Sequence, residues 1–502
     1  MSGNLFSFLS AAVQRQDRPF IVSLGRAAVS FSEAFAKAGQ FANLLLAHGV
    51  RPGDRVAVQV EKSPESLFLY LACLRAGAIY LPLNPAYTIA ELSHLLADSE
   101  PRLFVCSPKK ADAAKAIFSG TILTLDEDGT GNLIDEAGNL PTHFTDAAVA
   151  PDDLAAILYT SGTTGRPKGA MLSHSNLGSN AAALKSEWRF TDKDVLLHAL
   201  PIFHTHGLFV ATNVSLASAA TMLFLPKFDA DAIFRLMPGA TTMMGVPTFY
   251  TRLLSDPRLD RAATAHMRLF ISGSAPLLAE THDQWKGRTG HAILERYGMT
   301  ETNMNTSNPY EGARKPGSVG RPLPGTEIQI VGDDGNPLPT GEIGKILVRG
   351  PNVFKGYWRL PEKTKEDFRP GGWFVTGDMG RLDEDGYLFI VGREKDLIIT
   401  GGFNVYPKEV ETALDAVPGV GESAVFGVAH PDFGEGVTAV LVPKPEATLT
   451  EGEILLVLKE KLANFKLPKR VIILDEIPRN AMGKVQKNLL RAQFSDLYKR
   501  LG

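Results

Sequence analysis

Leu154-Ala155-Ala156-Ile157-Leu158-Tyr159-Thr160-Ser161-Gly162-Thr163-Thr164-Gly165-Arg166-Pro167-Lys168-Gly169 changes character halfway along. Its first part, through Leu158, is a short apolar run of the kind that forms a buried strand. From Thr160 to Gly165 every residue is Thr, Ser or Gly. The strand therefore opens into a loop whose glycines let backbone N–H groups turn toward an anion and whose hydroxyls add donors. Lys168 supplies a point charge for a polyphosphate. Thr160, Ser161, Gly162, Thr163, Thr164, Gly165 and Lys168 thus form a candidate nucleoside triphosphate loop, a mobile Ser/Gly-rich surface loop being the plain alternative. A Walker-type P-loop is excluded: Pro167 stands where its second Gly would be, and Lys168 is followed by Gly169. No G-x-G-x-x-G follows the strand, so a dinucleotide fingerprint has no support.

Outward from this stretch, residues 28 to 100 alternate in pattern. Phe31 to His48 has helical periodicity, Arg55 to Val60 is strand-like, and Pro64 to Ala76 is helical again. That is βαβ grammar and predicts parallel sheets in an α/β protein. The rhythm returns at Val195 to Phe228, Ala240 to Asp256 and Met267 to Thr289. After about residue 315 the texture shifts to short strands with Gly and Pro turns, as at Gly325 to Gly335, which predicts a β-rich subdomain. Beyond Asp396 comes a small α+β unit, with helices at Pro407 to Ala416 and Glu451 to Ala463 and strands near Ser423 to Val428 and Gly436 to Pro443. The charged segment Gly392-Arg393-Glu394-Lys395-Asp396 between the two parts reads as an exposed turn or a hinge, the residues alone favouring the turn.

At 502 residues the chain exceeds the size at which one core keeps growing, and 44% hydrophobic content permits large cores. The net charge of −3, from 52 basic and 55 acidic residues, gives no electrostatic reason to expect nucleic acid or an anionic membrane as partner. Cys73 and Cys106 have neither disulfide-framework nor metal-ligand spacing and read as core thiols of a cytoplasmic protein. Met1 to Gln16 reads as an amphipathic first helix rather than a signal peptide. No run approaches the roughly 18 apolar residues of a membrane span.

Distant segments supply partners for the loop. Glu295-Arg296-Tyr297-Gly298-Met299-Thr300-Glu301 offers an aromatic to stack on a purine and a carboxylate to hold Mg²⁺ beside phosphate oxygens. Asp378, ending Trp373-Phe374-Val375-Thr376-Gly377-Asp378, suits a ribose diol, with Arg393 as helper. Lys484 follows Gly483 in a polar C-terminal loop. Singly, each has an ordinary reading: Glu301 as a helix-start residue, Asp378 as a turn former, Lys484 as a solvated charge.

Together the order and spacing resemble the adenylate-forming superfamily of acyl-CoA synthetases, aryl-CoA ligases, luciferases and peptide-synthetase adenylation domains. The resemblance runs from Phe31 to Leu490. It rests on Tyr-Thr-Ser-Gly-Thr-Thr-Gly-x-Pro-Lys-Gly at 159 to 169, Tyr-Gly-x-Thr-Glu at 297 to 301, Thr-Gly-Asp at 376 to 378, Gly-Arg-x-Lys-Asp at 392 to 396, Pro-Lys-Glu-Val-Glu at 407 to 411 and Gly-Lys at 483 to 484. It implies a large N-terminal domain of stacked mixed sheets with helices and a β-rich subdomain, residues 1 to 393, and a small mobile α+β domain, residues 394 to 502. The implied chemistry has two steps: a carboxylate attacks the α-phosphate of ATP, and CoA thiolate then captures the acyl adenylate and releases AMP. Lys484, Thr300 and Glu301 are the implied catalytic residues, with Glu301 on Mg²⁺. Ala275, Tyr297, Gly298, Met299, Thr300, Asp378 and Arg393 join the loop in holding ATP. Lys395 becomes the hinge between half-reactions, replacing the turn reading, and Gly401, Gly402 and Phe403 become the strand offered to CoA.

The segments matching the superfamily's acyl pocket are unusually polar here. Arg296, Arg252, His206 and Ser274 fall in them, with Thr205 and Met304 closing the pocket and His204 orienting the carboxylate or gating the site. Arginine clasps carboxylates bidentately, so a substrate with a second carboxylate would explain a cation at this place. Glu295 to Met304 combined with His204-Thr205-His206-Gly207 closely resembles the malonyl-CoA synthetases of the superfamily. Malonate is therefore the expected acid, with methylmalonate accepted. A different acyl-CoA synthetase, or a free-standing adenylation enzyme that loads a separate carrier, is the alternative. The context of Lys484 also resembles a lysine modified by protein acetyltransferases, which would be partners of the chain.

Overall fold

Ser30, Ser63 and Thr88 each stand before an apolar segment. Each side chain accepts a hydrogen bond from the backbone N–H three residues on, and the residue there reciprocates. Such capping boxes satisfy N–H groups that lack an intrahelical partner. In the computed structural model, which describes residues 3–15, 17–160, 167–480 and 483–498, these caps open the helices Phe31–Ala47, Pro64–Ala76 and Ile89–Ser99. Between and after them lie the strands Arg55–Gln59, Ile79–Pro82 and Leu103–Cys106 in parallel register, so the βαβ grammar of the sequence is the local structure.

The chain divides into two units, Met1–Glu327 with Val348–Phe374, and Ile328–Leu347 with Val375–Gly502. The first unit holds two mixed sheets with helices. One has six strands in the order Thr121–Thr124, Leu103–Cys106, Arg55–Gln59, Ile79–Pro82, Leu154–Thr160 and Lys168–Ser173, parallel except for the last pair. The other has nine, with a parallel centre of Leu294–Met299, Leu269–Ser272, Thr242–Gly245, Val195–His198, Thr221–Phe224 and Pro19–Val22 and antiparallel strands at both edges. Strands such as Leu269–Ser272 and Thr242–Gly245 are buried along their whole length. They read as continuous apolar runs because parallel sheets are covered on both faces.

The second unit carries the strand pair Trp373–Leu382 and Leu388–Arg393, of which Val375 onward belongs to it, with Asp378 opposite Arg393. It also holds a sheet ordered Phe403–Val405, Ile398–Thr400, Gly434–Pro443 and Val420–His430, with Arg470–Ile473 added parallel to Gly434–Pro443. The helices Pro407–Asp415 and Glu451–Lys459 pack on it through Val410, Leu414, Ile454 and Leu458. The second helix is shorter than its periodicity predicts. Its end tightens into three-residue turns, with Glu460 N–H donating to Val457 and Lys461 N–H to Leu458. The first helix is likewise confined to Leu5–Ser10 and is held by the burial of Leu5, Phe6 and Leu9. Cys73 and Cys106 are free and buried, and burial pushes the Cys106 thiol up to about 11.

Candidate active site

Two regions of the first unit gather the residues singled out from the sequence. At the phosphate region, Leu154–Thr160 runs antiparallel to Lys168–Ser173 with Thr160 opposite Lys168. The loop between them, including Ser161, Gly162, Thr163, Thr164 and Gly165, lies outside the described residues. The Lys168 ammonium sits over the ring of Tyr357, 4.3 Å from its centroid. The Tyr357 hydroxyl donates to Glu301 Oε1 at 3.1 Å. One phenol thus holds the lysine of the phosphate loop by its face and the candidate magnesium carboxylate by its edge. Burial, reinforced by the Glu301 charge, pushes the Tyr357 hydroxyl far above its ordinary value, so it stays a donor. Tyr357 carried no sequence signal beyond following Gly356; the reading missed it.

Glu301 and Arg296 come from one hairpin. In Leu294–Met299 the pairing with Asn303–Ser307 shifts register between Tyr297 and Gly298, and such irregularities re-aim side chains beside functional sites. Before the shift Arg296 and Tyr297 are buried; after it Thr300 is half-buried in the turn and Glu301 is buried. Gly298 cannot be larger, since a Cβ there would meet Asn303 O at 1.9 Å and Met304 Cε at 2.5 Å. Met304 therefore lies against the turn that carries the nucleotide motif.

The second region surrounds Arg296, which is 3% exposed with Nε and Nη2 lacking a hydrogen-bond partner among the described residues. Burial pulls its guanidinium down to about 9, which leaves it cationic at neutral pH. Gly273 makes room for it: a Cβ at that position would lie 2.4 Å from Arg296 Cζ. The next residue, Ser274, adopts a left-handed φ of 73°, a costly conformation for serine that clusters at functional sites. Its hydroxyl meets His206 Nδ1 at 3.2 Å. His206 is buried with Nε2 unpartnered, and Thr205 is buried with its hydroxyl unpartnered. Burial first, then the Arg296 charge, hold His206 well below its usual range. His206 opens the π-helical turn His206–Thr212, a rare conformation that recurs at functional sites.

Of the other predicted residues in this unit, Ala275 is half-buried beside Ser274, and the His204 ring packs on Phe203 with centroids 4.5 Å apart. Arg252 is placed differently from Arg296. It is exposed on the helix Pro247–Leu254, with its guanidinium 5.5 Å from the Phe228 ring centroid.

In the second unit, Asp378 is buried and takes the Arg393 guanidinium at 3.2 Å. Gly401 and Gly402, with φ of 58° and 82°, turn the chain between Ile398–Thr400 and Phe403–Val405, as two-residue hairpins require. Phe403 is 55% exposed and stacks on Phe465. Desolvation, then the Arg393 charge, lower the Lys395 ammonium from its usual value. Lys484 is exposed on a turn closed from both sides: its N–H donates to Asn480 Oδ1 at 3.0 Å, and its carbonyl accepts from Asn480 N–H at 2.9 Å.

Residues 8–358 match the family model described as AMP-binding enzyme, and residues 409–484 match the AMP-binding enzyme C-terminal domain. The chain belongs to the AMP-binding enzyme family. It is similar to the ATP-bound structure of MatB from Rhodopseudomonas palustris, at 58% identity and a TM-score of 0.98 over 99% of this chain and 100% of that one. A malonate–CoA ligase of Arabidopsis thaliana is 36% identical over 89% of this chain and 79% of its own length. A feruloyl-CoA synthase of an Amycolatopsis species is 38% identical over 94% of this chain and 95% of its own. As a member, the chain is an AMP-forming CoA ligase with the adenylate-forming fold and with ATP and CoA as substrates. Among the described residues, no helix is long and apolar enough to cross a membrane.

Proposed function

We propose that the protein is a malonyl-CoA synthetase, converting malonate, ATP and CoA to malonyl-CoA, AMP and diphosphate through malonyl adenylate. One observation carries the choice of acid: a buried guanidinium, Arg296, with two unpartnered nitrogens beside unpartnered polar atoms of His206 and Thr205. A buried cation without a counter-ion is expensive, and a ligand carboxylate relieves that cost. A monocarboxylic acid spends its only carboxylate on the reaction, whereas malonate has a second one for Arg296. The names of the malonate–CoA ligase relative and the small residues around Arg296 support a short diacid, with methylmalonate as a second substrate. Arg252 joins this set as a long exposed cation that would leave the Phe228 ring to reach the acid.

In the first step two anions meet, so stabilisation of charge at the α-phosphate dominates catalysis. Lys484 is assigned that charge, Thr160 to Gly165 with Lys168 the β- and γ-phosphates, and Tyr297, Ala275, Gly298 and Met299 the adenine. Asp378 with Arg393 is assigned the ribose. Among the described residues no group of three or more His, Cys, Asp or Glu side chains forms a metal cage. One oriented carboxylate, Glu301, with the Thr300 hydroxyl beside it, suits Mg²⁺ that keeps its waters and is shared with phosphates. The second step is assigned to Gly401, Gly402 and Phe403 as the CoA surface after a swing about Lys395, the mobile domain comprising residues 394 to 502. His204 is assigned to orienting the reacting carboxylate. The exposed Lys484 is also a target for a protein lysine acetyltransferase in the cytoplasm; acetylation removes the charge and stops adenylation.

The test is AMP release over a panel of monocarboxylates and dicarboxylates, with and without CoA. Malonate should lead the panel and require CoA for turnover. A lead by acetate or by an aryl acid such as ferulate would refute the malonate assignment.

A further inference from the structure

Lys62 is 7% exposed and lies just past the carboxyl end of the strand Arg55–Gln59. Its Nζ lies 3.1 Å from His198 Nδ1 and 2.8 Å from the His198 carbonyl oxygen, and 4.1 Å from the centroid of the Phe224 ring. No carboxylate pairs with it among the described residues, and burial holds the amine well below its usual value. A buried amine of this kind is costly where a methionine would fill the same space, so its retention calls for a cause.

The cause lies on the far side of His198. Its Nε2 faces the Gly207 carbonyl at 3.0 Å and the Thr212 hydroxyl at 3.3 Å, and that hydroxyl itself donates to the same carbonyl at 3.0 Å. A carbonyl only accepts, so Nε2 carries the proton and Nδ1 is the acceptor for Lys62. Gly207 directly follows His206 and packs so tightly that a Cβ would lie 2.0 Å from Pro201 O. The Pro201–Phe203 segment lines a cavity of 60 Å³ together with Val58, Lys62 and Ser66.

We propose that Lys62 is a positioning residue of the acyl site: it holds in place the His198 ring, whose Nε2 proton faces the Gly207 carbonyl, and the ring pins that carbonyl, which sets the turn presenting His206. The relay is geometric and independent of the acid; its kinetic consequence rests on the acyl-site assignment above.

Two measurements on the intact protein test it. In ¹H–¹⁵N spectra of the histidine rings, wild-type His198 should be a single Nε2-protonated tautomer whose Nδ1 accepts a hydrogen bond, and Lys62→Met should keep that tautomer while moving the Nδ1 resonance toward that of an unbonded ring nitrogen. In kinetics, Lys62→Met should raise KM for the acid about tenfold, the weight of one positioning hydrogen bond, while KM for MgATP stays within about twofold. The acid used is whichever leads the substrate panel, so a failed malonate assignment leaves this test intact. Should Lys62→Met not fold, Thr212→Val, which removes the second donor to the Gly207 carbonyl, should raise the same KM. An unchanged Nδ1 resonance, an unchanged acid KM, or an equal rise in both KM values overturns the proposal.

Discussion

The phosphate region and the acyl region of the first unit treat their charges in opposite ways. Near the phosphate loop, Lys168 and Glu301 are both held by Tyr357, one on the ring face and one at the hydroxyl. In the region assigned to the acid, Arg296 has two nitrogens with no partner among the described residues, and His206 and Thr205 each have one such polar atom. A buried polar atom left unpaired costs about 1–3 kcal/mol, more for a charged group. The first region is thus held by protein partners, whereas the second leaves polar atoms for a ligand to satisfy. Under the proposed function the contrast locates specificity: ATP is common to the family's ligases, and the unsatisfied region is the one assigned to the acid.

The contrast breaks down if catalytic charge at the α-phosphate comes from either region instead of from Lys484. Lys484→Ala should lower adenylation by about 10²–10³-fold, the scale on which one preorganised donor to a developing anion acts. Thioester formation from a supplied acyl adenylate should be preserved. Pyrophosphate exchange reads the first half-reaction and CoA thioester release the second; matching losses in both would return the lysine to a general structural role.

The next largest effect belongs to the unsatisfied region. Arg296→Met keeps the volume and removes the cation, and should lower kcat/KM for malonate about 10²-fold, as loss of a buried charge pair of about 2–5 kcal/mol predicts. Acetate, which has no second carboxylate, should change far less. A smaller displacement tests the same point without removing charge. Gly273→Ala puts a methyl group where Arg296 Cζ is 2.4 Å away, forcing the guanidinium to move. Malonate kcat/KM should fall about tenfold, consistent with the sensitivity of oriented groups to shifts of about 1 Å. If Gly273→Ala is silent, the guanidinium has freedom that its tight surroundings do not imply.

These residues were not equally legible in the sequence. The parallel strands and capped helices were, because apolar runs and Ser, Thr and Glu caps act over a few residues: Phe31–Ala47 and Pro64–Ala76 stand where their periodicity puts them. Arg296 was legible because it stands beside a motif, out of character for it. Arg252 was singled out by the same reasoning; the structure places it exposed against the Phe228 ring, and Arg296 buried with two nitrogens unpartnered among the described residues. Tyr357 and Lys62 were invisible. Their partners are 56 and 136 residues away in sequence, and a lone tyrosine or lysine carries no local pattern to report such pairings. The end of the helix Glu451–Lys459 was placed too late, at Ala463, because apolar periodicity continues through Leu462 while the backbone already turns.

The smallest expected effect sharpens the satisfied side of the comparison. Tyr357→Phe keeps the ring under Lys168 and removes only the hydroxyl that donates to Glu301. The lost bond is to a charged acceptor, whose net worth is about 1.5–3 kcal/mol when buried. Glu301 keeps other contacts, so the net loss falls below that range, and KM for MgATP should rise about three- to tenfold. Malonate KM should stay unchanged, since none of the Tyr357 contacts described above involves Arg296 or His206. Tyr357→Leu removes ring and hydroxyl together and should exceed the phenylalanine variant, because the Lys168 ammonium then loses its aromatic seat as well. Equilibrium binding of a non-hydrolysable ATP analogue, with and without Mg²⁺, separates the two contributions. The hydroxyl should matter only when the metal is present, and the ring should matter in both conditions. A malonate KM that moves with the ATP KM would mean that the two regions are one coupled network rather than separately prepared sites.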